Sequence, residues 1–416
     1  MSKHEDPDEA NRRRPHIPKP PKQPFREVEY GHLERGSGGG RGGDPGGIPM
    51  VIHPQMVCST VDWKSVPPAE IEARLRARAG ELFAGSTGSL NPAANTVIGA
   101  LASSGGQLDW QYGQIIENWM VFVNFAARTG LTGADALIKL NDVSFTERAK
   151  HYSAEHGPDS MANRRSVDAM VVEALRTVAG SAGGRIGVHD AGCADAERTV
   201  GIMTRLRDSG VDCWFSGSDI SPAMVKAARG KGLEEVVEAN LLKGIPAGRK
   251  VNAVICLDDT IGHVPGRENR LQVMANFAGI LVEGGFILLN VNNSGGFFTP
   301  RTRKNDEVRA RFIEALPPEH RGILGGTSPG EHLYTVGGPG PVCYLHHFSE
   351  DELKSLGEDS GCRIVPVMVE GAGKSEAREV NTASLHFDGP GKGVRPGTIN
   401  DGYDNASMTA LFRLAV

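Results

Sequence analysis

The stretch His189–Thr199, HDAGCADAERT, decides the fold of this chain. It has the setting of a glycine loop, yet Gly192 is its one glycine. RIGVHD (185–190) reads as a strand before it and ERTVGIMTRLRDSG (197–210) as a helix after it. A strand that enters a run of small residues and leaves as a helix is the first half of a strand–helix–strand unit. Gly192, Ala194 and Ala196 would let a ligand approach the backbone closely. A helix N-terminus adds free N–H groups and the positive end of a dipole. An ordinary strand–helix turn looks the same, so the neighbouring segments must decide. Alanine at 194 is tolerated if its φ is negative, with Ala196 simply beginning the helix. A positive φ at 194 would cost roughly 1 kcal/mol or more.

Moving outward, short apolar runs alternate with helical patterns from about residue 160 onward. RIGVHD, VDCWFSGSD, EVVEAN, NAVICL, GGFILLNV, RIVPVMV and SMTALFRLAV read as strands. VDAMVVEALRTVAG, SPAMVKAARG and RENRLQVMANFAGILVEGG read as helices between or before them. This alternation predicts an α/β fold, a Rossmann-like, mostly parallel seven-stranded sheet with helices on both faces. Ligands of such sheets bind beyond the carboxyl ends of the strands, so the residues just after each strand matter most. After strand five an irregular insertion, about 293–345, carries a helix, DEVRARFIEAL, and a hairpin, EHLYTVGGPGPVCYL. FSEDELKSLGEDSG then opens with Ser349 and Glu352 at capping-box spacing.

Three regions follow. Residues 1–50 contain RRRPHIPKPPKQPFR and GSGGGRGGDPGG, a basic, proline- and glycine-rich tail whose composition predicts disorder. Residues 56–150 read as helical, with PPAEIEARLRARAGELF and the more apolar IIENWMVFVNFAARTG. As sequence, this region fits a cap over a site, an oligomer contact or plain support. Residues 151–416 form the α/β domain.

The chain of 416 residues carries a net charge of −5, which speaks against a nucleic-acid partner. The six cysteines (Cys58, Cys193, Cys213, Cys256, Cys343 and Cys362) form no CxxC pair. That pattern fits a reducing cytoplasm, with no zinc site or disulfide framework. No run of 18 apolar residues marks a membrane span, and the N-terminus has no apolar signal core.

Candidate site residues lie after the strands. Asp219 ends the second strand, where a carboxylate can accept hydrogen bonds from two vicinal ribose hydroxyls. Ser221 and Pro222 cap the next helix, which leaves Asp219 free of that duty. Asn240 ends the third strand and, as donor and acceptor, can read an adenine edge. After the fourth strand come Asp258, Asp259, Thr260 and His263, where the reacting group belongs. His263 is as readily a satisfied structural histidine.

This order of features resembles the class I S-adenosylmethionine-dependent methyltransferases over about residues 150–416. Asp190-Ala-Gly192-Cys-Ala194-Asp-Ala196 is similar to that family's first motif, and Asp219 to its second. NAVICLDDTIGHVP, NFAGILVEGGFILLNV and FSEDELKSLGEDSGCRIV resemble later segments. Within the class, Glu238-Ala239-Asn240 and Cys256–Pro265 look closest to glycine and sarcosine N-methyltransferases.

The resemblance implies S-adenosyl-L-methionine as cofactor and a methyl transfer to an N or O atom of a small-molecule acceptor. It implies cofactor contacts at Asp190, Gly192, Ala194, Asp219, Ile220, Asn240, Leu241 and Leu257, with Arg165 (or Arg164) on the methionine carboxylate. Asp259 and His263 would stand at the acceptor, and Tyr152 at the rim. No metal is implied, and a homo-oligomer is left open. Competing readings are an RNA or protein methyltransferase using the basic tail Arg12–Arg26, a non-catalytic scaffold on the same fold, and a nicotinamide-dependent dehydrogenase.

Overall fold

Strand β1 (Ile186–Ala191) is buried at every residue, as expected of a strand covered on both faces. Around it the computed structural model builds β2 (Cys213–Asp219), β3 (Glu235–Glu238), β4 (Val251–Cys256) and β5 (Leu281–Asn292) as parallel neighbours in the order β3-β2-β1-β4-β5. The chain runs outward from β1 to β3, then returns to place β4 on the other side of β1. This reversal opens a crevice at the carboxyl ends of β1 and β4. The structure describes residues 54–104, 107–149, 158–294, 299–336, 338–364, 368–370, 377–379, 385–387 and 407–414. The tail 1–50 and Tyr152 lie outside them.

The edge beyond β5 departs from expectation. β10 (Ser407–Leu414) pairs antiparallel with β5, giving the sheet a body of six strands. Two three-residue strands, β8 (Cys362–Ile364) and β9 (Leu385–Phe387), pair with the two ends of β10 and bring the total to eight, not seven. Of the stretch RIVPVMV, Arg363 and Ile364 belong to β8, while Met368 and Val369 pair with the strand Ala377–Glu379; 365–367 lie outside the described residues.

Helices α5 (Pro158–Ala182), α6 (Glu197–Asp208), α7 (Pro222–Ala228) and α8 (Arg267–Ile280) accompany the sheet. The region before it folds as α1 (Ile71–Leu82), α2 (Asn91–Ser103), α3 (Trp110–Thr129) and α4 (Gly133–Arg148). α3 starts at Asp109, whose side chain accepts from the Tyr112 N–H, and ends at the left-handed Gly130. The insertion supplies α9 (Thr299–Ala315) and the hairpin β6 (Glu331–Tyr334) and β7 (Cys343–His346). Val308, Phe312, Leu333 and Tyr344 of this insertion share one core with Trp119, Phe122 and Leu140 of the helices. The insertion is therefore built into the helical region by apolar packing. α10 (Glu350–Asp359) opens as its capping pattern requires, Ser349 Oγ accepting from Glu352 N at 3.2 Å. Among the described residues, no helix is long and apolar enough to cross a membrane.

One buried charge organises the helical region. Glu117, fully buried on α3, accepts from Ser59 Oγ at 2.5 Å, Trp63 Nε1 at 2.8 Å, Thr60 N at 3.1 Å and Arg78 Nε at 2.8 Å. Glu117→Ala would orphan these donors and leave Arg78 with only the exposed Glu81, 3.1 Å from its Nη1. We expect it to lower unfolding stability by about 3–5 kcal/mol, read from the denaturant midpoint. A loss under about 1 kcal/mol would show the cluster to be incidental.

Candidate functional site

Four segments converge at the carboxyl edge of the sheet: the loop after β1, the ends of β2 and β3, and the turn after β4. They line one side of a cavity of about 610 Å³.

The loop after β1 is held by its own backbone. Gly192 N and Cys193 N donate to Ser218 O at 2.7 and 2.9 Å, and Ala194 N donates to Asp219 Oδ2 at 3.0 Å. Gly192 has φ 83°, and a Cβ there would sit 2.4 Å from Thr260 Cγ2, so glycine is required twice over. Ala194 and Ala196 have φ 48° and 63°. Of the two alternatives open at Ala194, the structure shows the strained one, and Ala196 precedes the helix rather than beginning it. The helix begins at Glu197, and each alanine bears a left-handed strain of about 1–2 kcal/mol. The ties to β2 and the burial of Ala196 beside Cys193 and Ala228 hold that conformation.

Asp219 is not free of structural duty. Besides the Ala194 bond, its Oδ1 accepts from Ser221 N at 2.9 Å, while Ser221 Oγ accepts from Met224 N at 3.4 Å. Burial raises its pKa, and the N–H groups of Ser221, Ala194 and Ile220 oppose that rise. A carboxylate has about four lone-pair directions, so accepting capacity remains toward the cavity. Ile220 beside it is an exposed large apolar side chain on the cavity wall. Asn240 Oδ1 accepts from Leu242 N at 3.0 Å, leaving its amide N–H groups as donors. Leu241 and buried Leu257 complete this wall. Asp190, buried at its base, accepts from Thr199 Oγ1 at 2.5 Å, and burial pushes its pKa up to about 7.

The turn after β4 places consecutive left-handed residues, Asp258 (φ 50°) and Asp259 (φ 60°). Asp258 faces the cavity and pairs with Arg198 Nη1 at 2.6 Å. Asp259 does not line the cavity. It is buried behind the turn near Asn292 and Arg270, where burial raises its pKa well above the usual range. Of the two carboxylates in this turn, Asp258 and not the expected Asp259 lines the cavity.

His263 does line the cavity. Its Nδ1 lies 2.6 Å from Tyr344 O. A carbonyl only accepts, so Nδ1 carries the proton and Nε2 keeps its lone pair. Burial lowers the imidazole pKa to about 4. The ring meets Phe145 edge-on, with centroids 4.8 Å apart.

The opposite wall comes from α4 and the insertion. Ile138, Asn141, Asp142, Phe145 and Arg148 fall on one face of α4, and Tyr334 joins them from β6. The helical region thus supplies part of the cavity wall through one face of α4. Asn141 pins this wall to the site: its Nδ2 donates to His263 O (3.1 Å) and Tyr344 O (3.2 Å), and its Oδ1 accepts from Tyr344 N (2.7 Å).

Sequence reasoning missed Asn141, Phe145, Tyr334 and Arg198. The last had a signal, because a cation in the first turn of a helix opposes the dipole and needs a reason. Arg198 Nε donates to Asp168 at 2.7 Å, and its buried Nη2 has no hydrogen-bond partner among the described residues. Arg165 lies on α5, and its side chain lies outside the described residues.

No family model and no curated protein matches the chain. Solved structures to which it is similar are S-adenosylmethionine-dependent methyltransferases. The CcbJ methyltransferase from Streptomyces caelestis is 15% identical, over 62% of this chain and 97% of that one, with a TM-score of 0.37. An S-adenosylmethionine-bound amino pentose methyltransferase from Micromonospora echinaspora is 16% identical, over 64% and 96%, at 0.34. A DhpI–S-adenosylhomocysteine complex is 15% identical, over 67% and 97%, at 0.38.

Two outcomes test this geometry. Ala194→Gly relieves a left-handed alanine at the cost of a more flexible unfolded chain, so it should stabilise by up to about 1 kcal/mol. Destabilisation beyond about 1 kcal/mol would refute the strain. The His263 imidazole should titrate with a midpoint near 4 by NMR, below its ordinary 6.5. Because the unfolded chain binds the proton first, its contribution to stability is complete above 6.5 and is lost as pH falls toward 4. A midpoint near 6.5 would show the ring to be solvated.

Proposed function

We propose that the chain is an S-adenosylmethionine-dependent methyltransferase acting on an N or O atom of a small-molecule acceptor. The observation that supports this reading best is one cavity with two unlike walls. The wall from β1, β2 and β3 offers a close backbone approach at Gly192, a carboxylate at Asp219, amide donors at Asn240 and apolar Ile220, Leu241 and Leu257. The other offers His263, Phe145, Tyr334 and the α4 face.

The first wall fits the cofactor. Asp219 would hold the ribose, Asn240 and Leu241 the adenine, and Gly192 with its neighbours the methionine end. Arg198, through its unpartnered Nη2, fits the methionine carboxylate better than the expected Arg165 can be shown to. When bound, the cofactor supplies an already activated methyl group on a sulfonium. The protein then has to position the acceptor and exclude water. Phe145, Tyr334 and Ile138 exclude water. His263 Nε2 accepts a hydrogen bond from the acceptor N–H or O–H and so aims its lone pair. A base with a pKa near 4 is too weak to ionise a free amine or alcohol. It therefore takes the proton only as positive charge builds on the acceptor atom. Asp258, rather than Asp259, is the carboxylate within the cavity.

A second reading has one observation in its favour. Ala194 and Ala196 at positive φ, with Asp219 holding the loop internally, also describe a loop kept for its shape in a non-catalytic scaffold.

Calorimetric titration separates the two. We expect S-adenosylmethionine and S-adenosylhomocysteine to bind and NAD not to bind. Asp219→Ala should raise the dissociation constant at least about tenfold, since hydrogen bonds to a charged group contribute about 1.5–3 kcal/mol. His263→Ala should leave that constant unchanged and lower kcat about 100-fold. Heat from neither S-adenosyl ligand would leave the scaffold reading standing.

A further inference from the structure

The hairpin of the insertion carries polar groups that the proposed reaction leaves unused. Its register pairs Tyr334 with Cys343 and His332 with Leu345. Alternation therefore puts Tyr334, His332, Leu345 and, one residue past the strand, His347 on one face. Leu333 and Tyr344, on the other face, belong to the apolar core. The strip that starts at cavity-lining Tyr334 thus continues into two buried histidines. The rings of His332 and His347 stack with centroids 3.9 Å apart and planes 28° apart. His347 Nδ1 lies 3.2 Å from Thr302 Oγ1, which ties this strip to the first turn of α9.

Arg301 precedes Thr302 in that turn. Its charge acts on Tyr334, His332 and His347. Among the described residues it has neither a hydrogen bond nor a carboxylate partner. Two nearby buried arginines are engaged: Arg270 donates to Val264 O and faces Glu352, and Arg309 donates to Thr327 O. Among the described residues this guanidinium has no counterion, and a cation in the first turn of a helix opposes the helix dipole. His332 Nε2 is moreover buried without a hydrogen-bond partner. Arg301 brings a positive charge, and neutral His332, whose Nε2 has no hydrogen-bond partner among the described residues, can donate one N–H. An oxyanion satisfies them together.

We propose that Arg301, with His332 and His347, forms a subsite for an oxyanion group (a carboxylate or a phosphate) carried by the methyl acceptor. The assignment to the acceptor rests on the methyltransferase reading. His332 is two residues from Tyr334 along β6, so the oxyanion sits roughly 7 Å further along the strip than the acceptor atom's wall.

The test uses the full chain and two probes, inorganic phosphate and acetate, read by histidine side-chain NMR and by thermal unfolding. At least one probe should move the His332 and His347 ring resonances and raise the melting temperature with concentration. Which probe acts more strongly identifies the kind of oxyanion. Arg301→Gln should weaken the response more than about tenfold, and Arg301→Lys should restore part of it. Without anion, Arg301→Gln should melt no lower than the wild type, because it removes an uncompensated charge.

Resonances that neither probe moves, or an equal response in Arg301→Gln, would overturn the subsite. So would a lower melting temperature of Arg301→Gln without anion, which would make Arg301 a structural residue. S-adenosylhomocysteine is titrated in parallel. An anion response in a chain that does not bind it would remove the assignment to a methyl acceptor while the cofactor reading fails on its own measurement.

Discussion

The site depends on one carboxylate. Asp219 ends β2, yet its two oxygens reach in different directions, to Ala194 N in the neighbouring loop and to Ser221 N at the next helix. Without it the loop after β1 would lose the partner that offsets a left-handed alanine. Its two N–H acceptances are local and neutral in charge, so the negative charge of Asp219 still faces the cavity. The same residue therefore shapes the loop and charges the wall, and neither role excludes the other.

A second constraint closes the cavity from the far side. The helical region does not float over the sheet. Asn141 donates to both carbonyls that frame His263, and Tyr344 O in turn fixes the His263 tautomer. The α4 wall of the cavity and the His263 ring are thus one hydrogen-bonded unit. The apolar core that α3 shares with α9 and the hairpin supports it from behind. The insertion that reads as irregular in sequence is, by its packing against α3 and α4, part of the cavity wall.

The sheet was legible in the sequence because short apolar stretches alternate there with helical patterns and turn residues. RIGVHD, VDCWFSGSD and NAVICL each fall within two residues of a strand. The edge was not, because β8 and β9 have three residues each and carry no periodicity of their own. Asp219, Asn240 and His263 could be placed because the carboxyl ends of parallel strands are where such residues converge. Asp259 was misplaced because two consecutive left-handed residues turn neighbouring side chains in opposite directions, and no spacing rule reports φ. Asn141, Phe145 and Tyr334 were illegible for a different reason. They come from segments distant in sequence, and only tertiary packing brings them to the cavity.

On the cofactor reading, the loop at Gly192–Ala194, the Asp219 end of β2 and the Asn240 turn act together as one wall. Backbone amide hydrogen exchange with and without S-adenosylhomocysteine measures this. Exchange at Cys193, Ala194, Ile220 and Leu241 should slow, with little change on β10 across the sheet. Unchanged exchange in those segments at saturating ligand, or protection confined to other parts of the chain, would contradict that reading.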